Sequence, residues 1–351
     1  MSNYLIYGAN GYTGALVARE AVRRGQAPIL AGRNRAAIGA LAGELALRQR
    51  TFGLEDPKAL DESLRDIDVV LHCAGPFSHT SKAMADSCLR TKTHYLDVTG
   101  EIGVFEALAA RDAEAKAAGV MLMPGVGFDV VPSDCLAAHL KRRLPSATKL
   151  ILAFMLLSHV SRGTATTMAE NLPKGGMVRR GGVLTAVPAA WKSREIDFGS
   201  GPVLAMSIPW GDVATAFYST RIPDTDVYMA APRGMRWGSW LSRYFGWALG
   251  SAWMQGLIKN RIQAGPPGPS DEERARGKSF LWGEAADDSG KRVVSRLQGP
   301  EGYTLTALTS VAVLERVLAG KAPAGFQTPS MAYGADFILE IPGTRREDVD
   351  S

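Results

Sequence analysis

The chain has 351 residues, 46% of them hydrophobic and 21% charged, the balance of an ordinary globular protein with room for two domains. Its 40 Lys and Arg against 35 Asp and Glu leave a net charge of +5. That surplus is small and scattered, densest at residues 140–145 (LKRRLP), so no nucleic-acid partner is expected. Three cysteines, Cys73, Cys88 and Cys135, include no CxxC pair, which argues against a disulfide framework and against zinc. With a first strand at residue 4 and no room before it for a targeting segment, a cytoplasmic protein is expected.

In chain order, YLIYGA (4–9) is a short β-rich run, followed by a helix over 12–24 that ends at Gly25. PILAGR (28–33) forms a second strand and 36–47 a helix. QRTFGL (49–54) is a third strand, and DPKALDESLRD opens with Asp-Pro, a helix-start signature. IDVVLHCAG (67–75) is an uninterrupted apolar run of the kind buried on both faces of a parallel sheet. A helix over 82–90, the strand HYLDVTG, a helix over 104–118 stopped by Gly119, and the strand VMLMPGVG complete six β–α alternations. This order predicts an α/β, Rossmann-type doubly wound parallel sheet over residues 1–132. From Pro132 the pattern changes. Gly- and Thr-rich stretches, β-like runs (VLAMSIPWG, VYMAAP, KRVVSRLQGP) and a helix over 305–318 predict a second α+β domain over 133–351. It should contain a mixed or antiparallel sheet and serve substrate binding or dimerisation, and its C-terminal helix is able to pack back on the first domain.

Gly8, Gly11 and Gly14 lie between the first strand and the first helix, where a phosphate-binding turn must lie. Glycine permits a sharp turn and close backbone approach to a diphosphate, and the helix N-terminus supplies N–H groups and the positive end of its dipole. Asn10, Tyr12 and Thr13 belong to the same turn. The end of the second strand selects the cofactor: NAD enzymes place an Asp or Glu there for the ribose 2′-hydroxyl. Here the residues are Gly32, Arg33, Asn34 and Arg35, with no carboxylate to repel a 2′-phosphate. Arg33 presents a planar fork of donors that suits one. NADP(H) is therefore the expected cofactor. Cys73, Ala74, Gly75 and Pro76 follow the next buried strand and should border the nicotinamide half, with Cys73 a small filler rather than a nucleophile.

No tyrosine is followed by lysine four positions on, the Gly277–Ser279 stretch lacks the rest of a P-loop, and neither GxSxG nor HExxH occurs. The five histidines show no metal-ligand spacing, so no metal is expected. Hydride transfer remains, in which the cofactor carries the chemistry. Acid–base candidates come from the last strand ends: Asp97, Glu101 and Asp129, with Tyr95, Thr99, Ser133 and Asp134 beside them. The plainer alternative has Asp97 and Asp129 bonding loop amides while Glu101 and Asp134 cap the helices that follow them.

The segments IYGANGYTG, AGR, CAGPF, HYLDVTGE and PGVGFDVVPSD, in this order and with these gaps, resemble the saccharopine-dehydrogenase-like NADP-binding family. That family includes trans-acting enoyl reductases of lipid and polyketide assembly. The resemblance is strong over residues 1–135 and looser beyond. It implies NADPH held by Gly8, Gly11, Gly14 and Arg33, with Gly75 and Pro76 nearby. It also implies reduction of a C=C bond in a hydrophobic acyl, enoyl or polyketide-type substrate. Many relatives carry a tyrosine where this chain has His79. Two alternatives stay open: an imine or ketone reductase for a small polar metabolite, served by Arg162, Arg179 and Arg180, and a non-catalytic NADP-binding scaffold associated with lipid.

Residues 237–258 carry four of the seven tryptophans, yet the uncharged run is too short to span a bilayer. The window reads first as a domain or homodimer interface. Its second reading is an apolar wall for an acyl tail, or a peripheral membrane contact through Trp237, Trp240 and Trp247.

Overall fold

The computed structural model describes residues 3–157, 159–171, 175–231 and 251–349; Trp237, Trp240 and Trp247 lie outside the described residues. Two compact units divide the chain, the first comprising Met1–Val131 with Tyr303–Gly334, the second Pro132–Gly302 with Ala335–Ser351. The single boundary expected at 132/133 thus becomes a discontinuous division, because residues 303–334 return to the first unit.

The first unit alternates β1 (Tyr4–Tyr7), α1 (Tyr12–Arg23), β2 (Ile29–Gly32), α2 (Arg35–Leu45), β3 (Gln49–Thr51), α3 (Pro57–Leu64), β4 (Val69–His72), α4 (Phe77–Thr91), β5 (His94–Asp97), α5 (Ile102–Ala109), α6 (Asp112–Ala118) and β6 (Met121–Met123). Its seven strands lie in the order Gly325–Phe326, β6, β5, β4, β1, β2, β3. Every pairing is parallel, the doubly wound arrangement with one strand added at the β6 edge. Every residue of β1, β2 and β4 is buried, which is why these strands read as unbroken apolar runs. Each fully buried Leu or Ile, such as Leu5, Ile6, Leu30 and Leu71, contributes about 1.5–3 kcal/mol.

Local signals set most of the boundaries. Asp56 caps α3, accepting the Lys58 and Ala59 amides, with Pro57 in the first turn. Gly25 (φ +75°) and Gly119 (φ +69°) supply left-handed backbone just past α1 and α6, a conformation that costs glycine little. The helix expected over 104–118 is two helices, broken at Ala110 and Arg111. Arg111 leaves the helical register to reach Asp86 on α4 and Glu114 on α6.

The second unit is built on α7 (Val131–Arg143), β7 (Lys149–Leu156), α8 (Arg162–Asn171), β8 (Gly176–Arg180), β9 (Val183–Val187), β10 (Ser193–Asp197), β11 (Pro202–Ser207), α9 (Asp212–Thr220), β12 (Asp224–Ala230), β13 (Lys278–Ala286) and β14 (Arg292–Pro300). Its nine-stranded sheet runs β10, β11, β12, β7, β13, β14, Arg345–Val349, with β8 paired to β12 and β9 to β8. Only β12 and β7 pair in parallel; the other pairings are antiparallel, the mixed sheet expected. Alternation of buried and part-exposed residues along β13 fits a sheet with one face on the core, where Ala153, Ile196, Phe198, Ala205, Tyr228 and Trp282 cluster.

Candidate cofactor and proton-transfer site

The strand order of the first unit reverses between β1 and β4. That switch point is where ligands enter a doubly wound sheet, at the carboxyl ends of its strands. The turn after β1 and the loop after β4 meet there. Gly8 adopts φ +78°, and a Cβ on it would stand 2.8 Å from the backbone N and the Cβ of Ala74. A Cβ on Gly14 would stand 2.4 Å from the Gly8 carbonyl oxygen, so the first turn of α1 lies directly against the strand end. Gly11 is the N-cap of α1, in extended conformation and with no side-chain cap. Gly11 itself thus brings no side-chain oxygen to the first turn of α1. These features fit a diphosphate: backbone brought close, no Cβ in the way, and amides at the positive end of a helix dipole.

Around this cradle the other turn residues separate by role. The Asn10 side chain lies across the end of β2, its Oδ1 3.1 Å from where a Cβ on Gly32 would be. The Tyr12 ring stacks edge-on against Tyr303, centroids 5.0 Å apart, and that ring is committed to packing. Asn34 uses its Oδ1 to accept the Ala37 amide at 3.1 Å as the N-cap of α2. Of its polar groups, the Nδ2 donor remains to face a ligand.

Arg33 follows β2 with its side chain 76% exposed, and its Nη1 lies 4.0 Å from Glu55 Oε1. Sequence reading found no carboxylate near this guanidinium, and Glu55 corrects it. The chain leaving β3 brings residue 55 back beside the β2 end, a proximity that no local pattern encodes. The pair is loose and solvated, worth little, and Arg33 keeps donors for a phosphate. Tyr7 sits just below, donating its hydroxyl to the Phe52 carbonyl. Burial pushes its phenol up to about 12, with the Arg33 cation opposing that rise and the Glu55 anion adding to it.

The loop Cys73–Pro76 is held from beneath. The Cys73 amide donates to the Tyr7 carbonyl at 2.8 Å, and the peptide joining Gly75 to Pro76 is cis. Thr80 Oγ1 donates to the Ala74 carbonyl at 2.8 Å. A hydroxyl has one proton, so His72 Nε2, 2.9 Å from the same oxygen, is the donor in that contact. Burial lowers the His72 imidazole to about 3, consistent with this neutral tautomer. Burial likewise raises the Cys73 thiol far above its ordinary range, leaving it protonated and unsuited to nucleophilic attack.

The three candidate carboxylates sit in different surroundings. Asp97 is fully buried at the end of β5. It accepts the Tyr95 hydroxyl at 2.6 Å and the Thr99 and Gly125 amides at 2.9 Å each, cross-linking the loops after β5 and β6. Burial pushes its carboxyl up to about 6, against the pull of those three donors. Glu101 accepts the Phe77 amide at 2.7 Å and the Ser78 amide at 3.1 Å, so it caps α4. It sits at the N-cap of α5 without capping it, contrary to the expectation that it caps the helix following it. Through these contacts both acids hold loop and helix backbone in place. Asp129 is half-buried. Its Oδ2 lies 2.7 Å from where a Cβ on Gly100 would be, against the residue preceding Glu101. Burial pushes its carboxyl up to about 7, the range in which a carboxylic acid can hold and release a proton near neutrality.

In the second unit, Ser133 and Asp134 are buried in the first turn of α7. The arginines considered for a polar substrate are engaged within the protein. Arg162 donates to the Gly265 carbonyl. Arg179 donates to the Val213 and Gly182 carbonyls and lies 4.5 Å over the Phe217 ring. Arg180 makes a two-pronged pair with Asp226 at 2.6 and 2.7 Å. Among the described residues, no group of three or more His, Cys, Asp or Glu is arranged to hold a metal ion. Glu55, Thr80 and Tyr303 escaped sequence reading; of these only Thr80, one helical turn after Pro76, carried a local signal.

Comparison with known proteins agrees with this geometry. The family model for the saccharopine dehydrogenase NADP binding domain matches residues 4–123. The saccharopine dehydrogenase-like oxidoreductase of Bos taurus is 25% identical over 179 residues, covering 45% of this chain and 42% of that protein. The trans-acting enoyl reductase of Mycobacterium leprae is 30% identical over 181 residues, covering 47% of this chain and 43% of that one. The chain thus spans about two fifths of the length of these relatives. Apo saccharopine dehydrogenase (L-Glu forming) from Saccharomyces cerevisiae superposes with a TM-score of 0.68 at 14% identity, covering 100% of both chains, a likeness of fold. Residues 4–123 are accordingly an NADP-binding domain of Rossmann type, similar over that span to the NADP binding domain of saccharopine dehydrogenase.

Proposed function

We propose that the protein is an NADPH-dependent reductase of the C=C bond in a hydrophobic acyl, enoyl or polyketide-type substrate. The observation that carries the reductase reading is the pairing of a close-packed glycine turn at the β1/β4 switch point with an exposed Arg33 at the β2 end. That pairing suits the diphosphate and the 2′-phosphate of one ligand. Amides of the α1 first turn would hold the diphosphate, Arg33 the 2′-phosphate, and the Cys73–Pro76 loop would border the nicotinamide half. NADPH, when bound, supplies hydride. Asp129 holds a proton on its carboxyl at neutral pH and gives it to the carbon left electron-rich. Glu101 and Asp97 fix the loops on which this depends.

The choice of a hydrophobic substrate draws on two supports. Relatives of this chain include proteins named trans-acting enoyl reductases. Arg162, Arg179 and Arg180 are all spent on internal partners, which weakens the reading of a small polar imine or ketone substrate. The test is NADPH oxidation followed by absorbance with 2-enoyl thioesters of increasing chain length, beside imine and ketone panels. Turnover rising with acyl length supports the proposal. Turnover confined to the polar panel overturns the substrate, and NADPH binding without turnover on any panel favours a non-catalytic scaffold.

A further inference from the structure

We infer that the helix Ala252–Ala264 is a docking face for an anionic membrane surface. Trp253 is 71% exposed and Leu257 47%. One helical turn apart, they share a stripe with Asn260, Arg261 and Ala264, all of them exposed and none acidic. The opposite face belongs to α8: Gln255 donates to the Ala169 carbonyl at 3.0 Å and Lys259 pairs with Glu170 at 2.7 Å. The helix is thus anchored on one side and presents Trp, Leu and Arg on the other. Met168 of α8 is exposed as well.

Charge selects the occupant. Between Asp226 and Asp271 the sequence holds no Asp or Glu but carries Arg233, Arg236, Arg243, Lys259 and Arg261; of these, Arg261 lies on the exposed face of the helix, Lys259 pairs with Glu170 on the other, and the remaining three lie outside the described residues. This one acid-free stretch equals the whole +5 surplus of the chain. A face that pairs an exposed indole with a cation, in a carboxylate-free stretch, matches the boundary between lipid headgroups and acyl chains. There the indole lies at headgroup level, the aliphatic side chain enters the acyl layer, and the guanidinium reaches phosphate. Such a helix lies on the surface; no helix among the described residues is long and apolar enough to cross a membrane.

The test is flotation of the full chain with vesicles of phosphatidylcholine alone and of phosphatidylcholine with phosphatidylglycerol, at low and high salt. Binding to the anionic vesicles that weakens with salt is expected. Trp253→Ala with Leu257→Ala, and separately Arg261→Glu, should each lower it about tenfold. All these side chains are solvent-facing, so unchanged circular dichroism and NADPH affinity in the variants confirm an intact fold. This inference does not rest on the reductase reading, and NADPH affinity measured on the same samples keeps the two apart. No binding to anionic vesicles, or binding that the substitutions leave unchanged, overturns it. A dimer in sedimentation that the double substitution dissociates, without vesicle binding, gives the face to a second copy instead.

Discussion

Glu101 reaches back from the start of α5 to accept the amide of Phe77, 24 residues earlier, at 2.7 Å, with its second oxygen 3.1 Å from the Ser78 amide. Pro76, the N-cap of α4, brings no side-chain cap of its own, so this carboxylate occupies the positive end of α4. The unit therefore has one helix start next to the switch point already filled by an internal anion, and another, α1, that begins on a glycine turn. That difference favours α1 as the start that would take the diphosphate under the proposed function. Replacing Glu101 by Ala should destabilise the protein by about 1–2 kcal/mol, the worth of a helix cap, and loosen the Cys73–Pro76 loop. Urea unfolding would show a lowered midpoint and titration a weakened NADPH affinity. An unchanged midpoint would mean that the α4 amides find another acceptor.

The glycine turn makes a steric prediction. At Gly14 an added Cβ would lie 2.4 Å from the Gly8 carbonyl oxygen and 2.9 Å from Ala9 Cα, both backbone, with no flexible side chain to yield. Gly14→Ala should push α1 off the strand end, costing about 1–3 kcal/mol and lowering NADPH affinity at least tenfold. Gly43→Ala is the control, since a Cβ there meets nothing within 4 Å and replaces a helical glycine, so it should stabilise slightly. Thermal melts of the two variants should move in opposite directions.

Glu55 beside Arg33 opposes a phosphate at the same guanidinium. Glu55→Gln removes the repulsion while keeping the shape, and should tighten NADPH binding several-fold with little effect on NADH. The gain should be larger at low ionic strength, because both side chains are solvated and their field is screened by salt. If both cofactors gain equally, Glu55 acts on something other than the 2′-phosphate.

Asp129 predicts a pH dependence. Its folded-state pKa of about 7 stands above the ordinary 3.8. The folded state thus binds this proton more tightly than the unfolded chain does. Its contribution to stability is complete below about pH 4 and is lost as pH rises through about 7. Asp129→Asn should flatten the stability curve in that window. In the reductive direction the protonated acid is the active form, so the wild-type rate should fall above about pH 7, and the Asn variant should be slow at every pH. A variant that keeps both the rate and its pH profile would remove Asp129 from proton transfer.

The sequence revealed what local pattern encodes. Alternating strands and helices, the three-glycine turn, Arg33 at a strand end and the buried β4 run all depend on neighbours within one element. What it concealed depends on chain closure. The Gly325–Phe326 strand joins the parallel sheet beside β6 from two hundred residues further along the chain, and Glu55 swings to Arg33. The carboxylate of Glu101 serves α4 rather than the helix it precedes. The helix α8 was hidden for another reason: its Gly- and Thr-rich composition has low helix propensity, and its pairing with Ala252–Ala264 through Gln255 and Lys259 compensates. Asp97 and Asp129 looked equivalent as strand-end acids. Three hydrogen-bond donors surround one of them and Gly100 packs beside the other, placements that depend on how separate loops meet.

The central claim is that amides at the start of α1 hold a diphosphate while Arg33 takes the 2′-phosphate, and calorimetric titration with NADPH and with NADH, on the wild type and on Arg33→Ala, tests it most directly. The account predicts that the wild type binds NADPH more tightly than NADH. The substitution should then lower NADPH affinity about tenfold or more, the worth of a charge-assisted bond, and leave NADH unchanged. Equal affinities for the two nucleotides in the wild type, or a loss on substitution that falls equally on both, would contradict it.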